Sequence, residues 1–221
     1  MKNLKLMLAV LCTGVLLSGG QLFGQNKKGK EDIMYPVKAD NYKEIANLLT
    51  KEGWKTDLYS IEEQLVSTAK LKAEVNPKSY DALYLWVQLE NTGTNVKDVR
   101  EKNYISGINS LSYKVELPYL SQCQLLLIQK GGSADQLKTL EKITRKMTSM
   151  VVQNLGNRSM EIYLEKDKTC TVRSVFMLDK SRVYNTLRDA CLKEASTIEE
   201  NAILIEVFKE ASERMAKQSL R

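Results

Sequence analysis

With no histidine among its 221 residues, the chain lacks the base that serine and cysteine nucleophiles normally use. A desolvated lysine can serve instead near neutral pH. Lys78–Ser79 and Lys180–Ser181 supply both groups, but chain neighbours on a helix or strand do not face each other. Two carboxylate pairs, Glu62–Glu63 and Glu199–Glu200, have the residue types for glycoside hydrolysis. Each pair falls in the first turn of an expected helix, where the helix dipole favours acids whatever their use. The loop Asn91–Asn95 lies between a strand and a helix, as phosphate cradles do, yet it holds one glycine and no P-loop lysine. Gly131–Gly132 reads as a helix stop.

Metal chemistry is equally thin. Without histidine most zinc sites are ruled out, and no CxxC pair or ligand cluster is present. We therefore expect no catalytic, metal or cofactor-binding residue and no cofactor. Beyond Cys12 the chain carries Cys123, Cys170 and Cys191. Three widely spaced cysteines are not a disulfide framework. They read as buried thiols, with one bridge, Cys170 to Cys191, as the alternative in an oxidising compartment.

The side chains that stand out are aromatic. Tyr84 and Trp86 share one face of a strand, and Tyr163 sits outward on another beside Glu161 and Glu165. Such a group suits a ligand or partner surface. A second helix layer packed on that face is the competing reading.

Several elements must position these residues. A helix from Asp40 to about Thr50 ends at Gly53, and Trp54–Tyr59 alternates like a short strand. Ser60 and Glu63 form a capping box for a helix to Glu74, with Ile61, Leu65, Ala69 and Ala73 inward. Ala82–Glu90 is the clearest strand, alternating Leu83, Leu85, Val87 and Leu89 against Tyr84, Trp86, Gln88 and Glu90. A long helix follows with Val99, Ile105, Ile108, Leu111 and Val115 as its buried stripe, and Pro118 breaks or kinks it. Ser133 opens a further helix to Leu155, with Leu137, Leu140, Ile143, Met147, Met150 and Val151 inward. Ser159–Glu165 and Thr169–Leu178 form a hairpin across Lys166–Lys168. Helices at Val183–Ala195 and Ile198–Lys217, the second capped by Thr197, close the chain. This order predicts an α+β fold, a small, mainly antiparallel sheet packed against several helices.

The N-terminus indicates location. Lys2 and Lys5 precede the apolar run Leu6–Leu17 and a tail ending Leu-Phe-Gly, the layout of a signal peptide cut between Gly24 and Gln25. Leu11 before Cys12 is too bulky for a lipidation site. The run is short for a permanent span of a hydrocarbon core about 30 Å thick. Expected organisation is thus a signal peptide (1–24), a flexible mature N-terminus (25–36) and a single domain (37–221). Removing the leader's two lysines lowers the formal charge from +6 to +4, with both signs mixed. No basic stripe marks a nucleic-acid partner. Peripheral attraction to an acidic membrane stays open.

The order Gly53-Trp54, the helix start Ile61-Glu62-Glu63-Gln64-Leu65, a strand with a Gly turn and long helix, and the hairpin strand Met160-Glu161-Ile162-Tyr163-Leu164 form a pattern. Over residues 40–190 it resembles uncharacterised exported proteins of Bacteroidota, distantly related to Lpp-twenty-type outer-membrane lipoproteins. That resemblance implies a location and a fold class, not a chemistry. Together these readings predict a secreted, non-enzymatic protein of the periplasm or outer membrane. Its role would be structural or protein-binding, with an envelope protein or a second copy of itself as partner. The alternatives are a binder of a small ligand, peptide or glycan through the aromatic face, and a histidine-free hydrolase.

Overall fold

A computed structural model describes residues 41–77, 80–198 and 202–220. The leader, residues 25–36, Asp40, Lys78, Ser79, Glu199 and Glu200 lie outside the described residues.

Helix ends follow local chemistry. Helix α1 (Tyr42–Lys51) closes in a Schellman motif: Trp54 N–H donates to Leu49 O, Gly53 N–H donates to Thr50 O, and Gly53 takes φ +93°. Helix α2 (Ile61–Ala73) opens with the expected capping box. Glu63 N–H donates to Ser60 Oγ at 3.2 Å, and Ser60 N–H donates to Glu63 Oε2 at 2.9 Å. Between the two helices the expected strand shrinks to one bridge, Lys55 with Tyr163. Leu58 and Tyr59 are 74% and 72% exposed, so Trp54 alone of this stretch is buried and no alternating face forms to hold a strand.

Strand β1 (Tyr84–Gly93) leads through Asn95, whose side chain accepts from Lys97 N–H, into helix α3 (Val96–Gln129). Pro118 does not end α3. Both Pro118 and Lys114, whose carbonyl loses its donor, lie on the exposed side, where water can replace the missing bond. The buried stripe also differs from expectation. Asn103 and Gly107 occupy it, while Ile105 is 53% exposed, because the side facing the sheet holds a polar and a glycine residue that an apolar count passes over. Gly131 (φ +76°) ends α3 in a second Schellman motif.

Helix α4 (Ala134–Leu155) starts in a Ser133–Gln136 capping box and buries Leu140, Ile143, Met147 and Val151. Met150 falls outside that face, which Thr144 and Thr148 fill instead. Strands β2 (Asn157–Lys166) and β3 (Thr169–Asp179) form the hairpin, turning at Asp167 and Lys168, both with positive φ. Helix α5 (Lys180–Ala195) begins directly off β3, three residues before the expected start, because Asp179 accepts from Arg182 N–H as its cap. Helix α6 is described over Ala202–Leu220 and Thr197 precedes it by several residues. The Thr197 hydroxyl donates to Glu194 O and so closes α5.

The fold is α+β, with six helices and a three-stranded antiparallel sheet of order β1-β3-β2 among the described residues. The first half of α3 covers one sheet face and α2, backed by α1, covers the other. The second half of α3 runs beyond the sheet into a bundle with α4, α5 and α6. Phe176 and Leu178 of β3 carry the core from the sheet to Leu111, Val115 and Tyr119 of α3 and on to Phe208 of α6. All of these belong to one compact unit, Pro36–Arg221.

Candidate functional site

Strand register decides which aromatic side chains share a face. Tyr84 pairs with Asp179 and Trp86 with Met177, whereas Tyr163 pairs with Val172. Residues 172 and 177 of β3 lie on opposite faces, so Tyr163 is on the α3 side and Tyr84 and Trp86 are on the α2 side. The three aromatics do not form one surface. A bulge between Arg158 and Met160 shifts β2 by one residue, a change that alternation within one strand cannot reveal.

At the β2 edge, Arg100 of α3 gathers several groups. Its Nη2 lies 2.6 Å from Asp57 Oδ2, and its guanidinium stacks 4.8 Å from the centre of the Tyr163 ring. Arg100 Nε lies 3.0 Å from Glu161 Oε1, but its N–H is not aimed at that oxygen, so this contact is an ion pair without a hydrogen bond. Arg158 also pairs with the buried Glu161. Tyr163 Oη donates to Asp57 Oδ1 at 2.9 Å. The hydrogen bond from Arg100, then that from Tyr163, holds the Asp57 carboxyl below its usual range, and the same bond to Asp57 raises Tyr163.

The buried amide of Gln64 completes this edge. It donates to Thr56 Oγ1 at 2.6 Å and Tyr59 O at 2.8 Å, and it accepts from Glu161 N–H at 2.7 Å. Lys55 and Tyr163 exchange two backbone hydrogen bonds. The outward backbone of β2 is therefore paired at Glu161 and Tyr163, and Asp57, Glu161 and Glu165 each have a basic partner. These groups brace the loop 54–60 against the sheet.

The β1 side is built differently. Lys72 Nζ of α2 sits 3.8 Å from the centre of the Trp86 ring, so the aromatic face is covered as the competing reading expects. Burial raises the Tyr84 hydroxyl, with smaller effects from Glu74 and Asp179. Arg173 binds Glu90 through Nε (2.8 Å) and Nη2 (2.6 Å) and lies 4.8 Å over the buried Trp54 ring.

The outer edge of β1 is open along part of its length. Lys180 N–H donates to Leu83 O, which sets the ladder phase: odd residues of β1 bond to β3, and even residues point their backbone outward. Among the described residues no backbone group pairs with the outward side of Gln88, Glu90 or Thr92. Helix α3 runs antiparallel beside this edge. Asn91 Nδ2 donates to Asn103 Oδ1 at 2.6 Å, and Lys114 Nζ donates to Trp86 O at 2.7 Å. Helical spacing places Ser106, Ser110, Tyr113 and Leu117 on the same flank as Asn103 and Lys114, with Tyr113 64% and Leu117 55% exposed. Edge and flank thus run side by side.

The remaining candidates resolve into structural parts. Glu63 belongs to a capping box, Ser181 to the first turn of α5, and Asn95 caps α3. Cys123, Cys170 and Cys191 are buried free thiols; Cys170 packs with Val99 and Val172, apart from the cluster that holds Cys191, so the alternative bridge is not formed. Burial pushes the Cys123 and Cys191 thiols well up. Among the described residues no group of three His, Cys, Asp or Glu side chains is placed to hold a metal ion, and no helix is long and apolar enough to cross a membrane.

Sequence inspection missed Arg100, Asp57, Gln64, Lys72 and Lys114. Gln64 alone left a trace, as a polar residue within the inward stripe of α2. No protein-family model, curated protein or solved structure matches the chain.

Proposed function

We propose that this chain is an exported, non-enzymatic protein of the cell envelope that works by binding another protein. The observation that carries this reading is the asymmetry of the sheet. The edge at β2 is paired at Tyr163 by Lys55 and at Glu161 by Gln64, while among the described residues Gln88, Glu90 and Thr92 at the β1 edge keep unpaired outward backbone beside the exposed Tyr113 and Leu117. Unpaired edges tend to be covered or guarded, so an open one is a natural docking element. Export rests on the Lys2–Gly24 leader pattern and the resemblance drawn from the sequence.

Capture of a small ligand or glycan on the aromatic sheet face comes second, because Lys72 already occupies the Trp86 ring. The carboxylates of the β2 edge have arginine or lysine partners, which favours bracing over hydrolysis.

Crosslinking in intact cells tests the proposal. The tagged protein is expected to bring down a specific envelope protein, or itself, from the membrane fraction. Recovery as a soluble monomer, alone, would overturn it.

A further inference from the structure

Lys114 stands at one end of the open edge in an unusual situation. Its residue is exposed, yet its ammonium is turned in against β1, and loss of water there lowers its pKa. Among the described residues no carboxylate lies within salt-bridge distance of it. A partly desolvated cation held by a neutral carbonyl and, 5.7 Å from its centre, the face of the Trp86 ring, with no carboxylate among its contacts, gains most from an incoming anion. Lys72, 3.8 Å from the neighbouring Trp86 ring, adds positive charge at the same end.

The other features describe the shape of what would bind. Three alternate residues of β1 offer backbone N–H and C=O groups at strand spacing. Side chains of an added strand that point toward α3 would meet Ser106 and Ser110 at one end, leaving room, and Tyr113 and Leu117 at the other. Resting on the interaction reading above, we propose that the β1 edge beside α3 binds an extended peptide segment by strand addition, with an acidic side chain of that segment engaging Lys114. Backbone pairing supplies the general affinity, and the lysine sets the register.

The test uses fluorescent decapeptides of alternating threonine and valine, with alternate amides N-methylated so that only one edge can pair. Aspartate replaces each threonine in turn, and a matched set carries lysine. Anisotropy should show the best aspartate peptide binding at least tenfold more tightly than its lysine counterpart. Bound peptide should also slow hydrogen exchange at the Gln88, Glu90 and Thr92 amides. Gln88→Pro removes an outward N–H and no bond to β3, and should weaken binding at least tenfold. Lys114→Gln, on the surface of α3, should erase the preference for aspartate while the thermal melt stays in place.

Equal binding of both peptide sets, or unchanged exchange along β1, would overturn the proposal. So would self-association of Lys114→Gln, since the lysine would then be a guard against strand pairing. Crosslinking with Gln88→Pro separates the two readings. A partner captured as well as by the unaltered chain leaves the interaction role standing and removes strand addition. No partner with either chain removes both.

Discussion

The ammonium of Lys114 donates to the carbonyl of Trp86 at 2.7 Å, tying α3 to β1 eleven residues after Asn103 makes the same connection at Asn91. Eleven helical residues rise about 16 Å, and the five strand residues from Asn91 to Trp86 span about 17 Å. Helix and strand thus run in step along this edge, with the Asn91–Asn103 amide pair at one end and the Lys114 ammonium at the other.

Asn103 is the stronger of the two ties. It is fully buried, donates to Val172 O (3.0 Å) and Ser174 Oγ (3.1 Å), and accepts from Asn91. Asn103→Leu removes three hydrogen bonds and should lower stability by about 2–3 kcal/mol in urea unfolding. Asn91→Ala, which removes one of them at a half-buried position, should lower it by about 1 kcal/mol.

Gly107 sets how closely α3 approaches the sheet. An added Cβ would lie 2.3 Å from Phe176 Cδ2, against a ring with no exposure and no room to retreat. Alanine in a helix is favoured over glycine by about 1 kcal/mol, but overpacking a core typically costs about 1–3 kcal/mol. Two ring atoms closer than 2.6 Å place this site at the upper end, so Gly107→Ala should lower the melting temperature despite its better propensity.

The β2–β3 hairpin turns on Asp167 (φ +50°) and Lys168 (φ +63°), a two-residue loop that glycine enters more easily than lysine. Lys168→Gly should raise stability by about 1 kcal/mol, read from the shift in denaturation midpoint at constant slope. No change would mean that the turn holds lysine without strain.

The Asp57–Tyr163 hydrogen bond gives a defined pH signature. Arg100 and Tyr163 lower the Asp57 pKa, so its stabilisation is present above the unfolded aspartate value and disappears as pH falls through the folded one. Asp57 raises the Tyr163 pKa, so that contribution is present below the unfolded tyrosine value and disappears as pH rises through the folded one. The stability gap between the unaltered chain and Tyr163→Phe should therefore be widest between about pH 4 and 10 and close on both sides. Because Asp57 is half exposed, solvent screening keeps the gap to about 1 kcal/mol at most.

Cys123, Cys170 and Cys191 are buried, and burial raises the first and last thiols. A chain beginning at Gln25 should react with a thiol-specific reagent only on the timescale of unfolding, then release three equivalents at once in denaturant. Fast modification of one thiol in the folded protein would contradict this packing.

Those features that depend on a few neighbouring residues could be read from the chain alone. The Ser60–Glu63 box, the stop at Gly53, the alternation of β1 and the β2–β3 hairpin are all stated by side chains within a turn or two of each other. Capping, glycine's access to positive φ and strand alternation are short-range effects, and so survive translation into sequence pattern. The face presented by each strand is not of this kind. Tyr163 and Trp86 part company because each meets the central strand at its own register, Tyr163 opposite Val172 and Trp86 opposite Met177, on opposite faces of β3. The same holds for Arg100 with Asp57 and Glu161, for Gln64 with Glu161, and for Lys114 with Trp86, each joined across tens of residues of chain. Sequence determined several helix caps and stops, and that the α+β class would follow; only tertiary structure decided that β3 is central, that the β2 edge is paired at Glu161 and Tyr163, and that among the described residues the β1 edge lies open beside a lysine with no carboxylate partner. Strand order is chosen by the packing of whole layers, and no local pattern carries that choice.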